Sequence, residues 1–546
     1  MTKGKKTIIG CAIALAVLLL AGGVIIYADV MLTHIVDGKL RQRLSAMDSL
    51  TIRYGDLDIL LGEGKIRLKD VVFSTDTTDT LSVGHAGVSV HIEKLEAGYL
   101  NVFRILRTRQ VDIDYVEILR PEVAVVTVSK SKQNKQTENS LSSHESDSTN
   151  VLRKYISKIQ VGQIIIEEGN FSLSTIDSRL HLSTEDVGLS MTDIAYSIED
   201  KQLTYNDSIY SLSLKNLSLL TRDSLYALDL GALHHADAGE VVLENIHTRN
   251  TVDRHRLADR KGKQPVTWSN VSLKQVRISP LNLIRQAIAK QVSIDSISII
   301  GQRAAIYRDM RYTPRSNYPM PQEKLMSIGI PLKVKHLKMR MPSFEAEVLR
   351  PAGKAGKLIF TDVTLATTDI SNANGNCLNT HVQMKMAGGE ADMSLTLTND
   401  KACNLSAEMA VTSIEGRAFD DFLRPMFGMS MQCDIGSMRA SLSGDRRKLT
   451  GSLTMLYDNL QLHIYKEETP MERLAKNANV VNTLAPMVIY KSNPRPNKQN
   501  VYVCKISFER NPKKNFAGYL TGAVIDGMMH TALQESVYKS VKSRMQ

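Results

Sequence analysis

The stretch Val111–Val128, VDIDYVEILRPEVAVVTV, decides the fold, because its spacing of apolar residues recurs along the chain. Its apolar residues are separated by steps of two and of three. A step of two keeps side chains on one face of a β-strand, and a step of three needs a bulge or a turn if that face is to stay apolar. The spacing therefore predicts strand, kink, strand, turn, strand. The positions are Val111, Ile113, Val116, Ile118, Pro121, Val123 and Val125.

The same spacing returns from Ile159 to Leu173 and from Leu332 to Ala346, and a weaker copy runs from Val292 to Ile306. Gly169 and Pro342 stand where the first copy has Pro121. Self-similarity of this kind indicates a repeat architecture. The later copies contain Ile164, Ile166 and Phe171, and then Leu337, Met339 and Phe344.

A second recurring phrase places Asp or Asn between two short apolar segments. Both residues tolerate left-handed backbone and bulges. We therefore expect the alternation of buried and exposed side chains to shift by one residue at that position. The four copies are Leu68–Phe73, Leu214–Leu219, Trp268–Leu273 and Phe360–Leu365, with the switch at Asp70, Asn216, Asn270 and Asp362.

Composition argues against nucleic acid as a partner. The net charge is +11, but basic residues are dispersed and aromatic residues make up only 5% of the chain, too few for a base-stacking surface. Attraction to anionic membrane surfaces is the simpler interpretation of the charge.

The N-terminus predicts a membrane anchor. Lys3, Lys5 and Lys6 precede an uncharged run, Thr7–Ala28, which as a helix would span about 33 Å at ~1.5 Å per residue. The lysines favour a cytoplasmic N-terminus, so the rest of the chain would lie outside the cytoplasm. A cleaved signal peptide is the alternative. The anchor residues are Ile8, Ile9, Leu15, Val17, Leu18, Leu19, Leu20, Val24, Ile25 and Ile26.

Along the chain, the pattern predicts six segments. They are a cytoplasmic stub and anchor at 1–29, a helix-capped sheet start at 30–128, a disordered loop at 129–150, central β repeats at 151–376, an antiparallel meander with a helical interruption near Glu415–Phe427 at 377–465, and a helix–strand–helix end at 466–546. Within them we expect helices at 30–47, at Glu93–Thr108 and near Met471–Val488.

The predicted fold is mainly β: an elongated, twisted antiparallel sheet curled into a hydrophobic groove, with few short helices. Helices are too few to cover one apolar sheet face, so either a second sheet fills it or ligand chains do. Methionines concentrated between Met326 and Met455 favour acyl chains, although Met is also ordinary core filler. Besides the repeat residues named above, the candidate lining is Val382, Met384, Met386, Met393, Leu395, Leu397, Leu405, Met409, Leu453 and Met455.

The chain ends in a predicted amphipathic helix with apolar residues every four positions. We expect it either to contact the outer membrane or an outer-membrane protein, or to fold back and cap the groove. The stripe is Ile525, Met529, Leu533, Val537 and Val541.

No catalytic, metal or cofactor site is predicted, because the usual motifs are absent. Cys377, Cys403, Cys433 and Cys504 lack CxxC spacing; they could pair as disulfides, but core thiols are the favoured interpretation. The pair His234-His235 is expected to be an exposed loop. Acidic pairs such as Asp56 and Asp58, or Asp112 and Asp114, alternate with apolar residues as on the wet face of a strand.

The chain resembles the AsmA-like family of bacterial envelope proteins, which is related to TamB and YhdP. The residues that carry the resemblance are the anchor Thr7–Ala28, the phrase Leu95–Val125 and the run Val411–Leu462. Within that run, Asp420–Pro425 stands where the family has its helix. Three later phrases look like AsmA-like proteins of Bacteroidota: Ile489–Pro494, Phe508–Pro512 and Phe516–Tyr519.

The resemblance implies a single-pass inner-membrane protein whose bulk lies in the periplasm. It implies transport of phospholipid between the inner and outer membranes and support of outer-membrane integrity, with phospholipid acyl chains as ligands. The alternative is an anchored scaffold for outer-membrane biogenesis with a closed, lipid-free β core. An enzyme is not expected.

Overall fold

A computed structural model of the chain describes residues 33, 37–38, 50–60, 63–75, 87–99, 110–127, 157–175, 180–197, 202–204, 210–221, 223–235, 239–281, 290–312, 314, 316–350, 354–465, 488–495 and 498–539. The predicted anchor, the loop 129–150 and residues 471–487 of the helix near the C-terminus lie outside these residues. Among the residues described, no helix is long and apolar enough to cross a membrane.

The fold is mainly β, and hydrogen bonding assigns 21 described strands to one open, mixed sheet. The strands are β1 Leu50–Arg53, β2 Leu57–Leu60, β3 Lys65–Thr75, β4 Gly87–Gly98, β5 Gln110–Thr127, β6 Lys158–Thr175, β7 His181–Ser197, β8 Gln202–Thr204, β9 Tyr210–Leu220, β10 Tyr226–His235, β11 Val241–Asn250, β12 Thr267–Ser279, β13 Val292–Asp309, β14 Leu332–Leu349, β15 Ala355–Ser371, β16 Cys377–Met386, β17 Gly389–Thr398, β18 Leu405–Glu415, β19 Met429–Gly444, β20 Lys448–Ile464 and β21 Val503–Glu509. The described helices are α1 Leu257–Arg260, α2 Pro321–Met326, α3 Asp420–Phe427 and α4 Phe516–Ala532, with a 3-10 turn at Gly416–Phe419.

The chain divides into two compact units, and each is described by itself. The N-terminal unit is Met1–Ser224 with Asp229–Gly239, and the C-terminal unit is Leu225–Leu228 with Glu240–Gln546.

In the N-terminal unit, β3 pairs with β1, β2 and β4, and the order continues β4, β5, β6, β7, β9. All these pairs are antiparallel except β5 with β6. The predicted helix at Glu93–Thr108 is wrong over Glu93–Gly98, which belongs to β4. Leu95 lies between Leu68 and Ile118 in the sheet, so cross-strand apolar neighbours override the helical spacing.

The repeated phrases pair with each other in parallel. Val111 lies beside Ile159, Ile118 beside Ile166 and Val123 beside Phe171, so corresponding positions of the two copies are adjacent. In the C-terminal unit the weaker copy, β13, pairs with β14 in the same way. The prediction of a purely antiparallel sheet is therefore wrong at these two places, and the sheet is mixed.

The predicted kinks are confirmed at most of the expected positions. Asp70, Asn216 and Asp362 have φ of 50°, 49° and 51°. Asn270 is not among the positive-φ residues, and the register of its strand shifts instead between Ser272 and Gln275. In the repeat itself, the residues before Pro121 and Gly169 also have positive φ, so the turn falls where the steps of three placed it.

In the C-terminal unit the strands from β14 to β21 are successive antiparallel neighbours, which confirms the predicted meander. The helical interruption near Glu415–Phe427 is also confirmed, as the 3-10 turn followed by α3.

Helix α4 packs against the sheet by a face other than the predicted stripe. Ile525 is 45% exposed, whereas Tyr519, Ala523 and Val524 are buried. A Cβ on Gly527 would lie 2.9 Å from Ile506 Cδ1 and one on Gly522 would lie 2.7 Å from Phe508 Cζ, so the helix packs closely on the sheet at two glycines. The helix ends at Leu533, whose backbone is extended, and the stripe does not continue as one helix; Val541 lies outside the described residues.

Candidate functional site

Rows of apolar side chains cross the N-terminal unit on one face of its sheet. Each member lies beside the next in the hydrogen-bonded register, so the rows are continuous. One row is Leu57, Leu68, Leu95, Ile118, Ile166, Leu189 and Leu212, and a second is Phe73, Val90, Val123 and Phe171.

Most of these apolar side chains are only partly buried. On β5 and β6 the predicted lining residues are all partly exposed. They are Val111, Ile113, Val116, Ile118, Val123, Val125, Ile164, Ile166 and Phe171. A contiguous, partly exposed apolar face of this kind marks a site for another apolar surface. We call this face, from β2 to β9, the apolar face of the N-terminal unit.

Among the described residues, a buried cluster of Tyr54, Leu57 and Ile59 closes the face at its first strands. Residues that follow the predicted anchor contribute to the closure. The Tyr54 hydroxyl donates to the Asp37 carbonyl at 3.2 Å, and the Ile59 N–H donates to Thr33 Oγ1 at 3.1 Å. The beginning of the sheet is thus tied to the segment just after residue 29.

The opposite face of the same unit is polar and carries ion pairs between strands. Arg120 donates to Glu168 at 2.7 Å and to Glu93 at 3.0 Å. A denser network surrounds Glu96, whose carboxylate accepts from the Tyr115 hydroxyl at 2.7 Å and from Arg67 Nε at 2.9 Å. Burial raises the pKa of Glu96, but these hydrogen bonds outweigh burial and the pKa lies below its usual value.

The polar face also holds a shallow depression of about 750 Å³. Its lining includes His91, Glu122, Asn170 and Ser172, residues that alternate with the apolar rows. Val123 and Phe171 of the second apolar row also line it, so the depression is not confined to polar residues. Across the described part of the chain, no group of three His, Cys, Asp or Glu side chains converges so as to hold a metal ion.

In the C-terminal unit the predicted lining is divided between two environments. Leu337, Met339 and Phe344 on β14 are partly exposed, as are Met384 and Met393. The remaining residues belong to, or pack against, a closed core under α4, and this part of the sheet is filled by protein. Val382 is also buried. The residues in the closed core are Leu395, Leu397, Leu405, Leu453 and Met455, with Met386 and Met409 packed against it.

Among the described residues, several segments outside the strands close that core, including the one that carries Ile489. Helix α4 contributes Tyr519, Leu520, Ala523 and Val524. The connection between β13 and β14 contributes Met320, which is fully buried in the same cluster.

That connection is fastened to the turns beside it. The Tyr318 N–H donates to the Pro512 carbonyl at 2.9 Å, and Gln322 Nε2 donates to the Asn404 carbonyl at 3.2 Å. Glu323 pairs with Arg446 at 3.5 Å. These contacts hold Met320 in place over the core.

One polar constellation was not predicted. Cys504 Sγ lies 3.3 Å from His530 Nδ1, and His530 Nε2 lies 2.9 Å from Glu535 Oε2. Since a carboxylate only accepts, Nε2 donates to Glu535, and in the neutral ring Nδ1 accepts from the Cys504 thiol. The arrangement resembles a thiol–imidazole–carboxylate triad, but Cys504 is fully buried in the closed core, so it fastens β21 to α4.

The remaining thiols and histidines fall as follows. Cys403 and Cys433 are buried free thiols, in agreement with the core interpretation, and Cys377 is exposed. Desolvation raises the pKa of Cys433 to about 12. The expectation of exposed loop histidines is wrong for His235, which ends β10, is buried and stacks on Tyr210 at 4.3 Å.

The chain matches no protein-family model and no curated protein sequence. The likeness to the AsmA-like family therefore depends on the sequence phrases alone.

Proposed function

We propose that the chain is an inner-membrane-anchored lipid-transfer protein of the AsmA-like kind, which moves phospholipid between the two membranes of the bacterial envelope. The observation that carries the proposal is the apolar face of the N-terminal unit. Its rows are continuous over several strands and remain partly exposed.

The energetic argument concerns the acyl chains. Exposing the ~30 methylenes of a phospholipid to water costs a free energy of roughly 24 kcal/mol, at about 0.8 kcal/mol per methylene. A continuous apolar face removes most of that barrier, provided that no protein layer already fills it. The closure of the first strands by residues 33 and 37–38 would join such a path to the anchor.

The proposed lining includes fewer residues than the sequence predicted. The side chains around Leu453 are packed against α4 and leave no room for acyl chains, so we confine the proposed lining to the apolar face of the N-terminal unit. In the C-terminal unit, Leu337, Met339 and Phe344 are partly exposed.

The test is a lipid-transfer assay with the full-length chain between donor and acceptor vesicles. Transfer that rises with protein concentration supports the proposal; a rate equal to that of vesicles alone, for protein that is folded and membrane-bound, rejects it.

A second candidate is an anchored scaffold with a lipid-free core. The observation that favours it is the closed core of the C-terminal unit, which needs no ligand. The two candidates differ in lipid content, because a scaffold should purify without phospholipid.

A further inference from the structure

The loop Ser327–Pro331, between α2 and β14, is exposed at every residue although it is largely apolar. Ile328 and Ile330 are 39% and 41% exposed. Between them, a Cβ built on Gly329 would meet no atom within 4 Å. The loop therefore presents two isoleucines to the solvent at its tip.

The carbonyls of both isoleucines in this loop are hydrogen-bonded within the protein. Asn372 Nδ2 donates to the Ile328 carbonyl at 3.0 Å and to the Ile330 carbonyl at 2.7 Å. Asn372 Oδ1 accepts from the Leu332 N–H at 2.9 Å. Since unpaired carbonyls are costly to remove from water, this bonding lowers the cost of burying the loop tip in an apolar medium.

Three lysines lie within a few residues of the loop or of its backbone partner. Lys324 precedes it, Lys333 follows it, and Lys290 lies nearby because the Val292 N–H donates to the Pro331 carbonyl at 2.8 Å. All three lysines are exposed, and none forms an ion pair with a carboxylate of the described chain. The nearest acidic neighbours in sequence, Glu323 and Asp295, are paired with Arg446 and Lys335.

We propose that the loop Ser327–Pro331 docks on the surface of an anionic phospholipid bilayer, with Ile328 and Ile330 inserted between headgroups and the three lysines on the lipid phosphates. Apolar residues rimmed by lysine are typical of interfacial binding. Two isoleucines are too small an area for a stable protein–protein interface, which needs about 800 Å² on each side. The docking site does not depend on whether the N-terminal unit carries lipid.

The experiment uses the full-length chain reconstituted into phosphatidylcholine nanodiscs and measures capture of separate fluorescent vesicles with and without phosphatidylglycerol. The variant Ile328→Ser with Ile330→Ser should capture phosphatidylglycerol vesicles at least about tenfold more weakly. Lys324→Gln with Lys333→Gln should weaken capture and reduce its dependence on salt.

The matched control is Ile300→Ser with Ile359→Ser, which changes two other exposed isoleucines of the same unit. Capture by this control should equal that of the parent chain. Equal loss in both isoleucine pairs, no capture by the parent chain, or capture that is independent of phosphatidylglycerol would overturn the proposal. Self-association that disappears in the loop variant would assign the loop to a protein contact instead, and would also overturn it.

The same preparations separate this proposal from the transfer function. If the parent chain captures vesicles but transfers no lipid, docking is supported and the transfer function is rejected. If the isoleucine loop variant captures vesicles and transfers lipid as well as the parent chain does, docking alone is rejected.

Discussion

Ile118 of β5 lies directly beside Ile166 of β6, and the two residues occupy the same position in two copies of one sequence phrase. Because β5 and β6 run in parallel, each apolar position of one copy meets its equivalent in the other. The repeat thus builds a patch in which every row is apolar on both strands. Both isoleucines remain partly exposed.

Introducing charge at this pair should abolish lipid binding. Ile118→Asp with Ile166→Asp places two carboxylates in the middle of the proposed path, where burial beneath acyl chains would be strongly unfavourable. We expect lipid transfer to fall to the level of vesicles alone, measured in the donor–acceptor assay.

The control is Ala124→Asp with Ser172→Asp. These residues are also direct neighbours on β5 and β6 but lie among the positions that alternate with the apolar rows. Their transfer rate should be unchanged; a similar loss in both pairs would mean that charge disturbs the sheet and that the apolar face has no special role.

The closed core of the C-terminal unit should respond as packed protein. Leu453 is fully buried, so Leu453→Ala should lower the free energy of unfolding by about 3 kcal/mol. Leu456 on the same strand is 37% exposed, and Leu456→Ala should cost less than about 1 kcal/mol. Urea titration of both variants measures the difference; equal midpoints would show that the core under α4 is not closed.

The kinks should tolerate glycine and reject β-branched residues. Asn216 has φ of 49°, a conformation that Gly adopts freely and Val does not. We expect Asn216→Gly to be near neutral and Asn216→Val to destabilise the N-terminal unit by about 1–3 kcal/mol. Thermal unfolding midpoints of the two variants measure this difference in stability. A Val variant as stable as the Gly variant would contradict the positive φ at Asn216.

The Glu96 network predicts a pH dependence of stability. The pKa of Glu96 is depressed in the folded chain, so its carboxylate contributes stability above the ordinary value of 4.5, and that contribution is lost as the pH falls through the folded pKa. Glu96→Gln should cost about 2 kcal/mol at neutral pH and progressively less in acid. A cost that stays constant from neutral pH into acid would contradict this account.

The sequence predicts which face of a strand is apolar better than it predicts which strand lies beside it. The spacing in Val111–Val128 locates the kinks before Pro121 and Gly169, because only a change of pleat phase keeps Ile118 and Val123 on one face. The same spacing is equally compatible with parallel and antiparallel neighbours. The apolar spacing therefore could not predict that β5 and β6 pair in parallel.

Tertiary contacts explain the remaining errors. On α4 the apolar spacing places Ile525 on the predicted stripe, whereas the packed face contains Gly522 and Gly527, where the lack of a side chain lets the helix lie close to the sheet. Cys504 and His530 are 26 residues apart and meet only because α4 folds back on β21. No local pattern carries that information.

We propose that fatty acyl chains, rather than protein, occupy the apolar face of the N-terminal unit. The most direct measurement is native mass spectrometry with lipid extraction of the full-length chain, purified in a detergent that preserves bound lipid. We predict phospholipid bound to the parent chain and lost from Ile118→Asp with Ile166→Asp, but retained by Ala124→Asp with Ser172→Asp. A parent chain that is folded and free of phospholipid would contradict the account.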